Sequence, residues 1–345
     1  MNPRTPRVAL ALLCPLAAFA CKNEAAKPAV HAAAPFEIVF TADAKWLQDE
    51  AQKEMESALA RHPNIDLVYG QNDPMAFGAY VAARNAGRTG IKFVGVDALA
   101  HEGLRYVKEG ILDATIEYPT GGAEAVDLVL LAIAKITLPR EIKLGTRVFT
   151  KQNLATGGDP IAAPGAKVIA DLRTAHAKLL APATTDQMWQ VGLSQCNLGE
   201  PWRRQMNADI EAAIKKYPQL ALVAKDAQND VDKQGVQVEE LIAQGVQALL
   251  ISPKETGPLV AQCKKAIAKG IPVIVLDRAL GGDAYTCFLG GDNVMISRAA
   301  GEVIKSLLPG ATLAKPAKLV ELRGLSTSAP SLDRHKGFAQ ALGIE

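Results

Sequence analysis

Short apolar runs that end in polar residues recur along this chain, and amphipathic stretches of helical length separate most of them. A chain patterned this way builds parallel strands with helices packed on both faces. In the first half the runs predict strands at 37–40, 66–69, 91–96, 114–117 and 146–150. Helices are predicted between them at 46–61, 75–87, 101–109 and 121–136, the first with Leu47, Met55 and Leu59 along one side. The second half repeats the scheme with strands at 190–195, 220–225, 247–251, 272–276 and 286–290 and a helix at 294–308. Its opening corner, WQVGLSQCNLGEPWRR (Trp189–Arg204), stops a buried strand in a small-residue loop and restarts as a helix. Open α/β sheets place their ligands at such corners.

Two stretches depart from the alternation. Residues 151–188 hold TGGDPIAAPG and APATTD around one helix, 166–180, with Val168, Leu172, Leu179 and Leu180 as its apolar stripe, and read as a connector. After a Pro/Gly/Ala linker at 309–317, the chain ends with a strand at 318–323, the loop GLSTSAPSLDR and a helix at 331–342. One strand and one helix cannot bury a core, so residues 316–345 must complete a sheet begun elsewhere.

At 345 residues and 49% apolar composition the chain is long for one core and suits two α/β lobes. A formal charge of +2, with lysines evenly spread, gives no concentrated basic face, which argues against a nucleic-acid or membrane-surface partner. The first residues combine Arg4 and Arg7, an apolar run too short to span a bilayer and small residues before Cys21. That combination predicts a signal peptide at 1–20 and a flexible tether at 21–35, rich in Ala, Lys and Pro. Ala18-Phe19-Ala20 before Cys21 leaves two processing routes open, lipidation of Cys21 or cleavage after an A-x-A site. Cys196, Cys263 and Cys287 have no metal spacing, and the five histidines are scattered, so no metal site is expected. No nucleophile elbow, phosphate loop or dinucleotide fingerprint occurs, so neither enzyme nor cofactor chemistry is expected.

The segments SQ…EPWRRQMN, LISP, IPVIVLDR, GGDN, VELRG…SAPSLDRHKGF, YGQNDPMAFGA, GVDA and ATIEYPTGG are joined by more than their separate resemblances. Taken in the order Trp189–Glu345 followed by Phe36–Gln152, they resemble the sugar-binding proteins of the ribose/galactose type of ABC importers. The resemblance implies the type I periplasmic binding protein fold, α/β with two doubly wound parallel-sheet lobes, here circularly permuted. It assigns 36–118, 138–150 and 316–345 to the C-type lobe, 119–137 and 189–309 to the N-type lobe, and 151–188 to a connector between the ancestral termini. It also implies that strand 318–323 pairs in parallel with 37–40, that Glu345 lies near Phe36, and that the chain hinges near Pro119, Leu138–Pro139 and 309–317.

Sugar hydroxyls want planar bidentate partners and a sugar's C–H face wants an aromatic ring. Carried over residue by residue, the resemblance places Trp202 as the stacking ring and Arg203, Asp277, Arg278, Arg334, Asn72, Asp97 and Glu117 as hydroxyl partners. Gln195, Asn197, Glu255, Ser331 and Asp292 are second-rank candidates at the same level. Each first-rank residue has a plainer reading: Trp202 as a core or staple residue, Asp277-Arg278 as a surface pair, Asp97 and Asn72-Asp73 as caps. Glu117 is harder to dismiss, because a carboxylate ending an apolar strand is costly without a partner.

The expected function is that of an exported receptor in the periplasm. It would hold one small sugar, a pentose or hexose with furanose forms favoured, between its lobes for delivery to an ABC permease. It is expected to be monomeric, with membrane attachment only through a lipid anchor at Cys21. The alternative is a ligand-sensing receptor for a signalling or chemotaxis system, which uses the same clamp.

Overall fold

The computed structural model describes Met1 and residues 34–182 and 187–344; the rest of the stretch expected as a signal peptide, Cys21 and Glu345 lie outside the described residues. The first half forms β1 (Phe36–Asp43), α1 (Gln48–Arg61), β2 (Leu67–Gly70), α2 (Asp73–Asn85), β3 (Lys92–Asp97), α3 (Gly103–Glu109), β4 (Ala114–Glu117) and α4 (Gly122–Ile133). It continues with β5 (Glu141–Leu144), β6 (Thr146–Thr150), β7 (Asp159–Ile161) and α5 (Pro164–Ala175). The second half begins with β8 (Trp189–Gln195), α6 (Pro201–Ile214), β9 (Leu220–Asp226), α7 (Val231–Ala243), β10 (Ala248–Ser252) and α8 (Val260–Ala268). It ends with β11 (Val273–Leu276), β12 (Cys287–Gly291), α9 (Asn293–Leu307), β13 (Ala317–Arg323) and α10 (Ala329–Leu342).

Two sheets result, ordered β1-β13-β2-β3-β4-β6-β7 and β5-β12-β11-β10-β8-β9. β13 lies between β1 and β2 and is parallel to both, running from Ala317 opposite Phe36 to Arg323 opposite Asp43. Its pairing therefore joins the two ends of the described chain. A bulge at Val39 sets Phe40, rather than Val39, opposite Val320.

Alternation along the strands sets the layers. On β13, Leu319 faces a core shared by both sheets, whereas Val320 and Leu322 face the side covered by α1 and α2 with Met55, Ala76 and Phe93. The outer face of the second sheet is covered by α7 and α8 through Val238, Leu241 and Cys263. Each fully buried Leu, Val or Met contributes about 1.5–3 kcal/mol, so these faces fix the strand registers.

Three elements lie elsewhere than expected. Strand β5, within the 138–150 stretch assigned to the C-type lobe, pairs in parallel with β12 at the edge of the second sheet. Its polar–apolar pattern, Glu141, Ile142, Lys143, Leu144, buries only the two apolar residues, as an edge strand does. Helix α9, assigned with 189–309, packs instead on the first sheet and α10. Tyr69 of β2 hydrogen-bonds Ser297 of α9 at 2.6 Å, and a Cβ on Gly337 would stand 2.1 Å from the Val294 carbonyl oxygen. Only a glycine lets the two helices approach so closely. The chain consequently passes between the layers at 118–121, at Gly145, between β7 and α5, and at Asp292, while 309–317 joins two elements of the same layer. Finally, the connector adds β7 antiparallel to β6, and α5 is tied to α4 by Arg173 on Asp127 at 2.7 Å.

Candidate functional site

The C-terminal ends of the strands from both sheets face one cavity. Its first-sheet wall comes from Trp46, Asn72, Asp97, Pro330 and Arg334, its second-sheet wall from Glu200, Trp202, Arg203, Asp277 and Arg278, and Tyr118 stands where the chain crosses between them. Seven of the eight first-rank residues meet here. The strand ends bring them together because each β-to-α turn must leave the sheet at that edge.

Two of the walls are built by helix starts. Asn72 caps α2, its Oδ1 accepting from the Met75 amide at 2.9 Å with Pro74 in the first turn. Its Nδ2 donates to the Trp46 carbonyl at 3.1 Å, so the capping reading and the cavity-lining reading both hold. Pro201 starts α6 and turns Trp202 and Arg203 inward. The Trp202 Nε1 donates to the Tyr118 carbonyl at 2.8 Å, and the two rings lie 4.8 Å apart. Trp202 is thus both part of the core and a wall of the cavity.

The charged groups are almost wholly buried, and each finds partners. Arg203 donates to Asp277 Oδ2 at 2.7 Å, to Ser252 Oγ at 2.8 Å and to Gln195 Oε1 at 3.0 Å. Its Nε lies 3.2 Å from Glu200, close enough for charge pairing but misaligned for a hydrogen bond. Tyr118 donates its hydroxyl to Asp277 Oδ1 at 2.9 Å. Arg278 donates to the Lys254 carbonyl at 2.9 Å. Arg334 donates to Asn293 Oδ1 at 2.8 Å and to the Gln71 carbonyl, lies 4.0 Å from Asp97, and stacks its guanidinium 4.5 Å from the centre of the Tyr118 ring and 5.2 Å from that of Trp46.

The two aspartates are driven in opposite directions. Burial raises Asp277, but the guanidinium groups of Arg203 and Arg278 and the Tyr118 hydroxyl outweigh it and hold the carboxyl below its usual range. Burial raises Asp97 too, and there the more distant Arg334 does not compensate, so its carboxyl is held well above that range. Asp277 is therefore a fixed acceptor, and a protonated Asp97 can donate as well as accept. The Trp46 Nε1 and Arg278 Nε have no hydrogen-bond partner among the described residues. Such a set of donors and acceptors beside two indoles and a phenol suits a compact polyhydroxyl ligand.

Glu117 is not brought to the cavity. Neighbouring residues of a strand point to opposite faces, so where Tyr118 turns inward Glu117 turns to Arg147, 3.8 Å away. Among the second-rank residues, Gln195 supports Arg203 from beneath, and Asn197 ties its own loop by accepting from the Gly199 amide at 3.0 Å and donating to Glu200 at 2.9 Å. Ser331 is buried at the start of α10, where its carbonyl accepts from Gln71. Asp292 caps α9 and Glu255 is partly exposed beside Lys254; neither lines the cavity.

Trp46, Tyr118, Glu200 and Pro330 line the cavity without having been singled out in the sequence. Tyr118 could have been found from the alternation that removes Glu117. Trp46 could not, because helix α1 begins only at Gln48 and both Lys45 and Trp46 take positive φ, 56° and 70°, which neither residue type signals.

The ribose import binding protein of Bacillus subtilis (strain 168) is 34% identical over 148 residues, 43% of this chain and 47% of that protein. The galactofuranose-binding protein of Escherichia coli (strain K12) is 30% identical over 155 residues, 44% of this chain and 47% of that one. A solved structure, the fructose binding periplasmic domain of a hybrid two component system, is 36% identical over 45% of this chain and 49% of that chain, with a TM-score of 0.41. The chain spans about half the length of the curated relatives it matches. The family model described as a periplasmic binding protein domain matches residues 21–135 and 191–344, which is most of the sequence, and the chain belongs to that family.

Proposed function

We propose that this protein is an exported, non-enzymatic receptor that holds one small sugar in the cavity between its two sheets and delivers it to an ABC permease. The observation that carries the reading is the convergence of Arg203, Arg278, Arg334, Asp97 and Asp277 with Trp46 and Trp202 around one cavity fed by both sheets. The sugar-binding relatives and the family's periplasmic character support the reading. The same reading takes a furanose-form pentose or hexose as ligand and the periplasm as compartment, with Cys21 as the point of lipid attachment if it is modified.

The chain order is part of the proposal. The register of β1 on β13 supports a circular permutation in which residues 151–188 join the ancestral termini. A thermal-shift screen over pentoses, hexoses and polyols tests the function. A bound sugar at a thousand times its dissociation constant adds about 4 kcal/mol of stability, and a flat response to the whole panel would remove the sugar reading.

A further inference from the structure

Behind the cavity wall, Asp73 is fully buried and forms no ion pair among the described residues. An isolated buried carboxyl is costly, so a role is required of it. It is the first residue of α2, where an acidic side chain is ordinary, but capping there is done by Asn72. Both Asp73 oxygens point away from the helix. Oδ1 accepts from the Thr115 hydroxyl of β4 at 2.6 Å, and Oδ2 accepts from the Ala98 amide at 2.7 Å. The carboxyl fits a cradle that only glycines leave open: a Cβ on Gly95 would stand 2.2 Å from Oδ1, and one on Gly103 2.0 Å from Oδ2.

The amide it holds belongs to the turn that aims Asp97. Asp97 has φ 121° and Ala98 has φ 54°, conformations that L-residues rarely adopt and that surrounding structure must impose. The hydrogen bond from the Ala98 amide to Asp73, whose carboxyl Gly95 and Gly103 cradle, is that imposition. We propose that Asp73 is a positioning residue for the sugar site, holding the Asp97–Ala98 turn so that the Asp97 carboxyl faces the cavity and Arg334. Only the last link, from Asp97 to ligand, rests on the sugar-receptor reading.

The test separates the two. Asp73→Asn can still accept from the Ala98 amide with its carbonyl oxygen while its amide donates to the Thr115 hydroxyl, so it should retain the turn. Asp73→Ala removes the acceptor, and Gly95→Ala keeps the carboxyl but displaces it, which covers the case in which Asp73→Ala fails to fold. Hydrogen exchange at the Ala98 amide should quicken about tenfold or more in Asp73→Ala and Gly95→Ala and stay near wild type in Asp73→Asn. In calorimetric titrations with D-fructose, D-ribose and D-galactose, Asp73→Ala should weaken the sugar bound by wild type about tenfold, yet add nothing in an Asp97→Ala background. Unchanged Ala98 exchange, or losses that add in the double variant, would overturn the proposal. A wild type that binds none of the three sugars counts against the sugar reading, and the exchange measurement still decides the role of Asp73.

Discussion

Arg203 in the first turn of α6 and Asp277 at the end of β11 meet at 2.7 Å with both side chains almost wholly buried, although 74 residues separate them in the chain. Taking two charges out of water is expensive, and such a pair persists only where further hydrogen bonds complete it. Ser252 and Gln195 complete the guanidinium, and the Tyr118 hydroxyl completes the carboxylate. The pair thus forms a rigid floor beneath the cavity, fixed before any ligand enters.

Breaking that floor from one side leaves an uncompensated buried charge. Arg203→Ala should destabilise the protein by about 3–5 kcal/mol in urea unfolding. Adding Asp277→Asn to it should cost far less than the two single changes summed; strict additivity would show that the pair is not coupled.

Trp202 and Arg278 should behave differently from each other. Trp202 belongs to the core, so Trp202→Ala should both abolish sugar binding and cost about 3–5 kcal/mol of stability. Among the described residues the Arg278 guanidinium makes one hydrogen bond, to the Lys254 carbonyl, and its Nε stands 3.7 Å from Asp277 Oδ2 without a hydrogen bond. Arg278→Ala should weaken binding roughly 10- to 100-fold by calorimetry with a much smaller effect on unfolding. Equal affinities for wild type and Arg278→Ala would exclude Arg278 from the site.

The pH dependence of stability should carry two opposite contributions. Asp277 is held low, so its contribution is present above the unfolded carboxyl value of about 3.9 and is lost as pH falls through its lower folded value. Burial pushes Asp73 up to about 8, and the Glu102 carboxyl adds to the rise; the Thr115 hydroxyl, the Ala98 amide and Arg334 oppose it without cancelling it. Its folded value exceeds its unfolded one, so the stability it contributes is complete below about pH 4 and is lost as pH rises towards 8. Urea midpoints measured from pH 4 to 9 should fall in wild type and fall less in Asp73→Asn. An identical slope in both would show that Asp73 does not titrate in this window.

The chain order can be tested by undoing it. A gene that starts at Gln187, links Ile344 to Ala34 through a short flexible peptide and stops at Pro182 keeps every strand pair of both sheets. It should fold with a thermal midpoint and a sugar affinity close to those of the natural order, because β1 and β13 already lie side by side. A rearranged protein that fails to fold would show that the present connectivity, and not the sheet order alone, specifies the structure.

The sequence by itself determined the α/β class, nearly every strand, and the order β1-β13-β2-β3-β4 and β9-β8-β10-β11-β12 within the sheets. Apolar runs ending in polar residues and the rule that ligands gather at strand ends are local and topological, so they survive in a bare string of residues. Seven of the residues the motif resemblance names line one cavity, because each lies at the end of a strand or on the helix that follows it. Tertiary structure decided what depends on neighbours distant in sequence. It sent β5 to the second sheet and α9 to the first, since an edge strand and an amphipathic helix join whichever apolar face is open to them. It turned Glu117 away and Tyr118 inward, a choice set by the parity of one strand against its partners. It also put Trp46 in the cavity through two positive φ angles that the Asn72 side chain and the space left by Gly324 sustain.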